Sequence, residues 1–113
     1  MLKISASAPA EDDVAEAIAH YAAISPDLAD AFEARLKAAL SLLASRPDIG
    51  SRRFSYLFPD MDVRTWSLDR FPYRLFYAAE PPLLRVYRLE HEMRNVTRDT
   101  LGAAVAKKKG SAG

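Results

Sequence analysis

The chain lacks cysteine altogether and has two histidines, His20 and His91, far apart in its 113 residues. No cysteine means no disulfide framework, no thiolate zinc site and no cysteine nucleophile. Two separated histidines make a structural metal site a poor reading, and no cofactor is expected. No apolar run approaches the ~20 residues that span a bilayer. The opening MLKISASAPAEDD turns acidic at once and has no apolar core of the secretory-signal kind. The reading is a soluble, cytoplasmic protein without membrane contact. Apolar residues make up 50% and charged residues 27%, the balance of a globular chain. Its length suits a single domain, one that buries roughly two-thirds of its unfolded surface without help from metal or disulfide.

The net charge of +1 conceals an asymmetry. Residues 1–50 carry four basic and eight acidic side chains, residues 51–113 twelve basic and seven acidic. Nine of those twelve are arginines, suited to planar, bidentate contacts with phosphate or carboxylate. An ordinary solvated surface accounts for this pattern, and so does a basic half facing an anionic target or an acidic partner segment.

Leu2, Ile4 and Ala6 alternate with polar positions, the period of a half-buried strand. Ser7 can then cap a helix, with Pro9 tolerated in its first turn and Glu11, Asp12 and Asp13 at the positive end of its dipole. Val14, Ile18 and Tyr21 form its buried stripe, and the predicted helix covers about 8–23. Ser25-Pro26-Asp27 restarts the chain as a second helix. Leu28, Phe32, Leu36, Leu40 and Leu43 line one side of it until Arg46-Pro47 ends it. Two helices joined this tightly form an antiparallel hairpin. A loop over 47–60 follows, then three strand-like segments at 61–68, 73–79 and 83–89, punctuated by Pro72 and Pro81-Pro82. YRLFYAA, apolar on both faces apart from Arg74, belongs at the centre of the sheet. The tail has helical potential around Thr97–Ala106 and ends in KKKGSAG, which reads as frayed. No internal repeat is visible. The fold class is α+β: β-α-α-β-β-β, a helical hairpin on one face of a small, mainly antiparallel sheet.

A short strand, a helical hairpin ending in Arg46-Pro47-Asp48-Ile49-Gly50, a central Tyr73-Arg74-Leu75-Phe76-Tyr77 and a final Leu89-x-His91-x-x-Arg94 together resemble the ParE/RelE toxin superfamily. The resemblance runs from about Leu2 to Arg94, so residues 1–95 read as a toxin domain and 96–113 as a C-terminal extension. It implies the toxin of a type II toxin–antitoxin pair, a plasmid-stabilisation module, neutralised by a cognate antitoxin. The implied antitoxin is of ribbon-helix-helix type with a wrapping tail. The chain is more similar to the ParE branch, which poisons DNA gyrase, than to the RelE branch, which cleaves mRNA on the ribosome. Family members read Leu-His-x-x-Arg at the last strand; here an extra residue and two acids, Glu90 and Glu92, surround His91.

Metal-free RNA cleavage needs a base, an acid and cations around the phosphorane. The candidates are His91, Arg85, Tyr87 and Arg94, with Glu90 beside them. Strand alternation puts Arg85 and Tyr87 on one face and Arg88 with Val86 on the other. Arg64 shares a face with Trp66, and one sheet face showing Arg64, Arg85 and Tyr87 would bind phosphate without being a complete catalytic set. The competing readings are plainer. His91 reads as a strand-end residue bonded to backbone, and Arg74 as a buried arginine paired with an acid from the helices. Glu90 and Glu92 read as one solvated face, Trp66 as a core or interface plug, and Lys107–Lys109 as a solvated tail. A net +1 also suits a protein–protein inhibitor better than a ribosome binder. Target binding is therefore expected at Arg64, Arg85, Arg88, His91 and Arg94, and antitoxin binding at Leu28, Phe32, Leu36, Trp66 and Arg85. The function read here is gyrase inhibition without catalysis. A ribosome-dependent endoribonuclease is the alternative, and an inactive relative kept as a binding module is a third reading.

Overall fold

A computed structural model describes residues 1–102 and 104. The chain runs β1 (Lys3–Ala6), α1 (Ala8–Ala22), α2 (Pro26–Ser45), β2 (Arg64–Ser67), β3 (Tyr73–Glu80) and β4 (Leu83–His91). Short 3-10 turns occupy Pro47–Ile49, Ser55–Leu57 and Arg98–Leu101. The strands form one sheet in the order β1-β4-β3-β2. β1 lies parallel to β4, and the β2–β3 and β3–β4 pairs are antiparallel. This is the expected β-α-α-β-β-β arrangement, with β3 in the interior of the sheet as its two apolar faces require.

The hairpin forms for the reasons its sequence suggests. Ser7 Oγ accepts from the Ala10 N–H at 3.1 Å and closes the first turn of α1. Ser25 starts α2 differently: its side chain makes no capping bond, and its carbonyl accepts from the Leu28 and Ala29 amides. Alanines at 10 and 17 on α1, and at 29 and 39 on α2, are buried and let the hairpin lie close to its neighbours. Between hairpin and sheet lie Phe32, Leu36, Leu43, Leu75, Tyr77, Leu84, Val86 and Leu89. Tyr21, Phe32, Phe71 and Tyr73 pack ring against ring, mostly edge-to-face, with centroids 5.1–6.3 Å apart.

The opposite face of the sheet carries its own apolar cluster. Phe76, Ala78 and Tyr87 from the sheet meet Phe58 and Val63 from the loop before β2, and Leu101 and Ala104 from the chain after β4. The loop over 47–60 is thus partly ordered into 3-10 turns. The strand expected over 61–68 is shorter, because Met61 and Val63 serve this second cluster and β2 begins only at Arg64. β3 and β4 run further than expected, to Glu80 and His91. Asp69 and Arg70 fill the β2–β3 turn as expected, with Arg70 at φ 72°, in the left-handed region. The tail is a 3-10 turn at Arg98–Leu101 that continues as helix at Gly102 and Ala104. The expectations for the remainder of Thr97–Ala106, for Lys107–Lys109 and for the chain end fall on 103 and 105–113, outside the described residues.

Candidate functional site

β4 carries most of the predicted site, and one irregularity decides which way its side chains face. Phe76 pairs with Arg88 and Tyr77 with Val86, so Tyr87 is an extra residue bulged out of the ladder. The bulge sets Arg88 opposite Phe76, where strict alternation would group it with Val86 on the hairpin side. Arg85 and Tyr87 do share a face. The Arg85 guanidinium lies 5.9 Å from the Tyr87 ring centre, and its Nη1 donates to Ser5 Oγ at 2.9 Å. The Tyr87 hydroxyl donates to Glu80. Burial first, and the Glu80 carboxylate second, hold the Tyr87 phenol well above the usual tyrosine range. It is no base at neutral pH.

The proposed phosphate face of Arg64, Arg85 and Tyr87 does not form. Arg64 pairs across from Tyr77 and Trp66 from Leu75, on the hairpin side of the sheet. Arg64 Nη1 donates to the carbonyls of Asp48 at 2.9 Å and Gly50 at 3.1 Å, tying down the turn after α2. Trp66 packs against the main core, half-buried.

β1 ends opposite Val86, and the free edge of β4 beyond it is closed by side chains of α1 and its cap. Ser7 Oγ donates to the Tyr87 carbonyl at 2.8 Å. Asp13 accepts the Leu89 amide at 3.0 Å and holds Arg88 in a two-pronged pair, Nε at 2.7 Å and Nη2 at 2.9 Å. Arg88 Nη1 reaches the Thr100 carbonyl at 3.1 Å, so this side chain joins α1, β4 and the tail. Its hydrogen bonds to Asp13 hold the guanidinium above its usual range against the opposing effect of burial. Arg88, expected to face a target, is committed to the fold.

At the C-terminal end of β4 a cleft of about 730 Å³ opens between α1 and the strand, lined among others by Glu16, His20, Tyr73, His91 and Arg94. The His91 ring stands edge-on to Tyr73 at 5.4 Å. Its Nδ1 accepts the Met93 amide at 3.1 Å, the backbone-bonded strand-end role expected of it. Burial, then Glu16, raise the Tyr73 phenol, and Arg94 opposes them. Glu90, expected in solvent, is buried, 3.5 Å from Arg88 and 3.6 Å from Arg94. Arg94 itself is 70% exposed.

Arg74 is buried as expected, but its acid is Glu92 at 3.8 Å, on the chain just past β4, and no helix carboxylate. Its guanidinium also lies over the Phe54 ring, 4.9 Å from the centre. Arg74→Ala should unfold about 2 kcal/mol more easily, since it strips these contacts and leaves an unfilled space. A wild-type melting curve for that variant would show that the pairing contributes nothing.

Phe32 and Leu36, expected to meet the antitoxin, lie in the core under the sheet, and Leu28 is half-buried. Asp13 and Tyr73 were not among the predicted site residues, and Glu90 was named but its burial was not foreseen. Of these, Tyr73 and Glu90 stood inside quoted motifs, whereas nothing in the sequence separates Asp13 from its acidic neighbours. Among the described residues no cluster of three or more His, Asp or Glu is placed to hold a metal ion. None of their helices is long and apolar enough to cross a membrane.

Comparison with known proteins agrees with this architecture. A similar solved structure is the chromosomal ParDE toxin–antitoxin system from P. aeruginosa, at a TM-score of 0.65 and 18% identity. That match covers 80% of this chain and 96% of the other. No curated protein matches the sequence. The family model described as "ParE toxin of type II toxin-antitoxin system, parDE" matches residues 4–96. With the hairpin, the four-stranded sheet and nearly the whole described chain inside that match, the protein belongs to the ParE toxin family of type II toxin–antitoxin systems.

Proposed function

We propose that this toxin acts as a stoichiometric inhibitor of DNA gyrase and not as a nuclease. The observation that supports this reading is the separation of the candidate catalytic groups. Arg85 and Tyr87 lie on the face away from the hairpin, while His91 stands against Tyr73 on the hairpin side. Arg85 and His91 are also roughly 20 Å apart along β4 at the usual strand rise. A general base, a general acid and a phosphate clamp must meet within hydrogen-bond reach of one substrate, and Arg85, Tyr87 and His91 do not. The surface that would meet a protein target is the end of β4 and the turn after it, where Met93 and Arg94 are exposed.

The partner is an antitoxin with a wrapping tail. On the hairpin its apolar contacts fall to Ile24 and Leu42, both exposed, and to the half-buried Leu28. Acidic residues of the tail would lie near Arg85 and Arg94. A ribbon-helix-helix dimer is the antitoxin architecture this reading favours, and the cytoplasm is where both partners would meet gyrase.

Purified protein should inhibit gyrase supercoiling, and induced cells should filament while bulk translation persists at first. Codon-phased mRNA cuts without any effect on gyrase would overturn the reading. Arg94→Ala should keep a wild-type melting temperature and lose toxicity, because its exposed side chain supports little of the fold. His91→Ala should be milder for toxicity. A fully folded His91→Ala protein that alone loses toxicity would move the nuclease ahead.

A further inference from the structure

The segment Ser51-Arg52-Arg53-Phe54-Ser55-Tyr56 interleaves cations with aromatic rings, and the fold gives it a fixed shape. Ser55 N–H donates to the Arg52 carbonyl, Leu57 N–H to Phe54 and Phe58 N–H to Ser55, at 2.9–3.1 Å. Phe58, buried against Val63 and Phe76, anchors the turn to the sheet. The Phe54 ring already carries two cations, with the Arg53 guanidinium 4.9 Å from its centre and Arg74 at the same distance. Tyr56 is the opposite case. It is 73% exposed on a hydrogen-bonded 3-10 turn, and among the described residues no ring stacks on it.

We infer that this turn is a contact for single-stranded nucleic acid, with a base stacked on Tyr56 and phosphates held by Arg52 and Arg53. A ring presented on a hydrogen-bonded turn loses little conformational entropy on stacking. Arginines three and four residues earlier in the chain present guanidinium groups that pair with phosphate oxygens. Residues 51–59 contain no acid; Asp60 and Asp62 follow. Asp62 lies 3.4 Å from Arg52 Nε and competes with phosphate for it. Arg53 is exposed and rests on the Phe54 ring, so it is the principal phosphate ligand. An acidic peptide would satisfy the two arginines but would leave the tyrosine ring without a stacking partner. That is why the combination favours a nucleic acid.

The test is fluorescence anisotropy of a labelled oligothymidylate with the full-length protein, without gyrase, across a salt series. Tyr56→Ala should weaken binding about tenfold, the scale of one lost base stack, and Tyr56→Phe should restore it. Arg52→Ala with Arg53→Ala should flatten the salt dependence by about 1.4 units of slope, as two phosphate contacts fewer on a single strand require. All variants should melt like wild type, since the side chains altered are exposed. Replacing Lys107, Lys108 and Lys109 with alanine should leave the Tyr56 dependence intact. The inference fails if Tyr56→Ala binds like wild type. It fails equally if the lysine variant loses all binding, or if poly-glutamate binds as tightly and with the same Tyr56 dependence. A duplex of equal length that binds as well as the single strand would also overturn it. Because gyrase is absent, failure here leaves the proposed target untouched, and failure in the supercoiling assay leaves this contact untouched.

Discussion

Asp13→Ala should be the most damaging single substitution on the surface of α1, lowering stability by about 3–5 kcal/mol. Its carboxylate accepts three N–H groups, two from the Arg88 guanidinium and one from the Leu89 backbone. The side chains of Asp13 and Arg88 are 12% and 19% exposed, so water cannot replace what the substitution removes. Alanine would leave a cation enclosed with Glu90 as its remaining acid at 3.5 Å, and a strand amide facing a void. For a domain of this length the loss corresponds to about 15 °C in Tm. Asp13→Asn keeps an oxygen for the Leu89 amide and should lose about half as much. Arg88→Ala in turn leaves the Asp13 carboxylate enclosed without its cation and loses the Thr100 contact, though Asp13 would still accept from Leu89, so its effect should be of similar size. Urea unfolding of both single variants and the double variant isolates the pair. If Asp13→Ala melts within a few degrees of wild type, the pair is screened and the edge of β4 is held by Ser7 alone.

That edge shows how far the sequence could be read. The helical hairpin was legible because leucine spacing, serine-proline starts and the Arg46-Pro47 stop all act locally. The interior position of β3 was legible too, since a strand apolar on both faces must be covered on both faces. The bulge at Tyr87 was not. One extra residue in β4 breaks the two-residue period, and nothing in Val86-Tyr87-Arg88 marks it, since each residue is ordinary for a strand. Arg88 was therefore assigned to the wrong side of the strand and read as a free cation.

Arg64 was placed correctly beside Trp66 but was grouped with Arg85, because alternation within each strand says nothing about how one strand registers on the next. Glu90 looked solvated beside Glu92 for a related reason. Its burial depends on Arg88 and Arg94 closing over it, a tertiary arrangement with no local signature. Asp13 was read as one of three acids favouring the dipole of α1. Its pairing with a residue 75 positions later becomes visible only once β1 is seen to stop short of Leu89. The family motifs carried information that local periodicity lacked. They framed the stretch that proved to be a ParE domain, yet several cations within it hold the fold together, and residue type alone did not separate these from exposed ones such as Arg94.

The turn after α2 provides the second large effect. Gly50→Ala should cost about 3–4 kcal/mol, although Gly50 sits at φ −67°, where alanine is comfortable. The reason is contact. A Cβ at this position would lie 2.2 Å from the Tyr77 hydroxyl oxygen and 2.8 Å from Cε1 and Cζ of the same ring. Tyr77 is fully buried in the interior strand and has little room to retreat. Its hydroxyl accepts from the Gly50 amide at 3.0 Å and donates to the Pro47 carbonyl at 2.7 Å, so the methyl group would both overpack the site and break this bridge. Tyr77→Phe alone should cost about 1–3 kcal/mol, because the Gly50 amide is left without its acceptor. The double variant removes the oxygen contact but not the ring contact, so its loss should fall short of the sum by about 1 kcal/mol. The same tyrosine gives a pH signature. Burial raises its phenol above the ordinary value of 10.0, so above that pH the unfolded chain ionises first and the native state loses stability as pH rises. Tyr77→Phe should flatten that alkaline loss relative to wild type. A Gly50→Ala protein that melts like wild type would mean that Tyr77 moves freely in the core, and the bridge to Pro47 could not be what holds the end of α2 against the sheet.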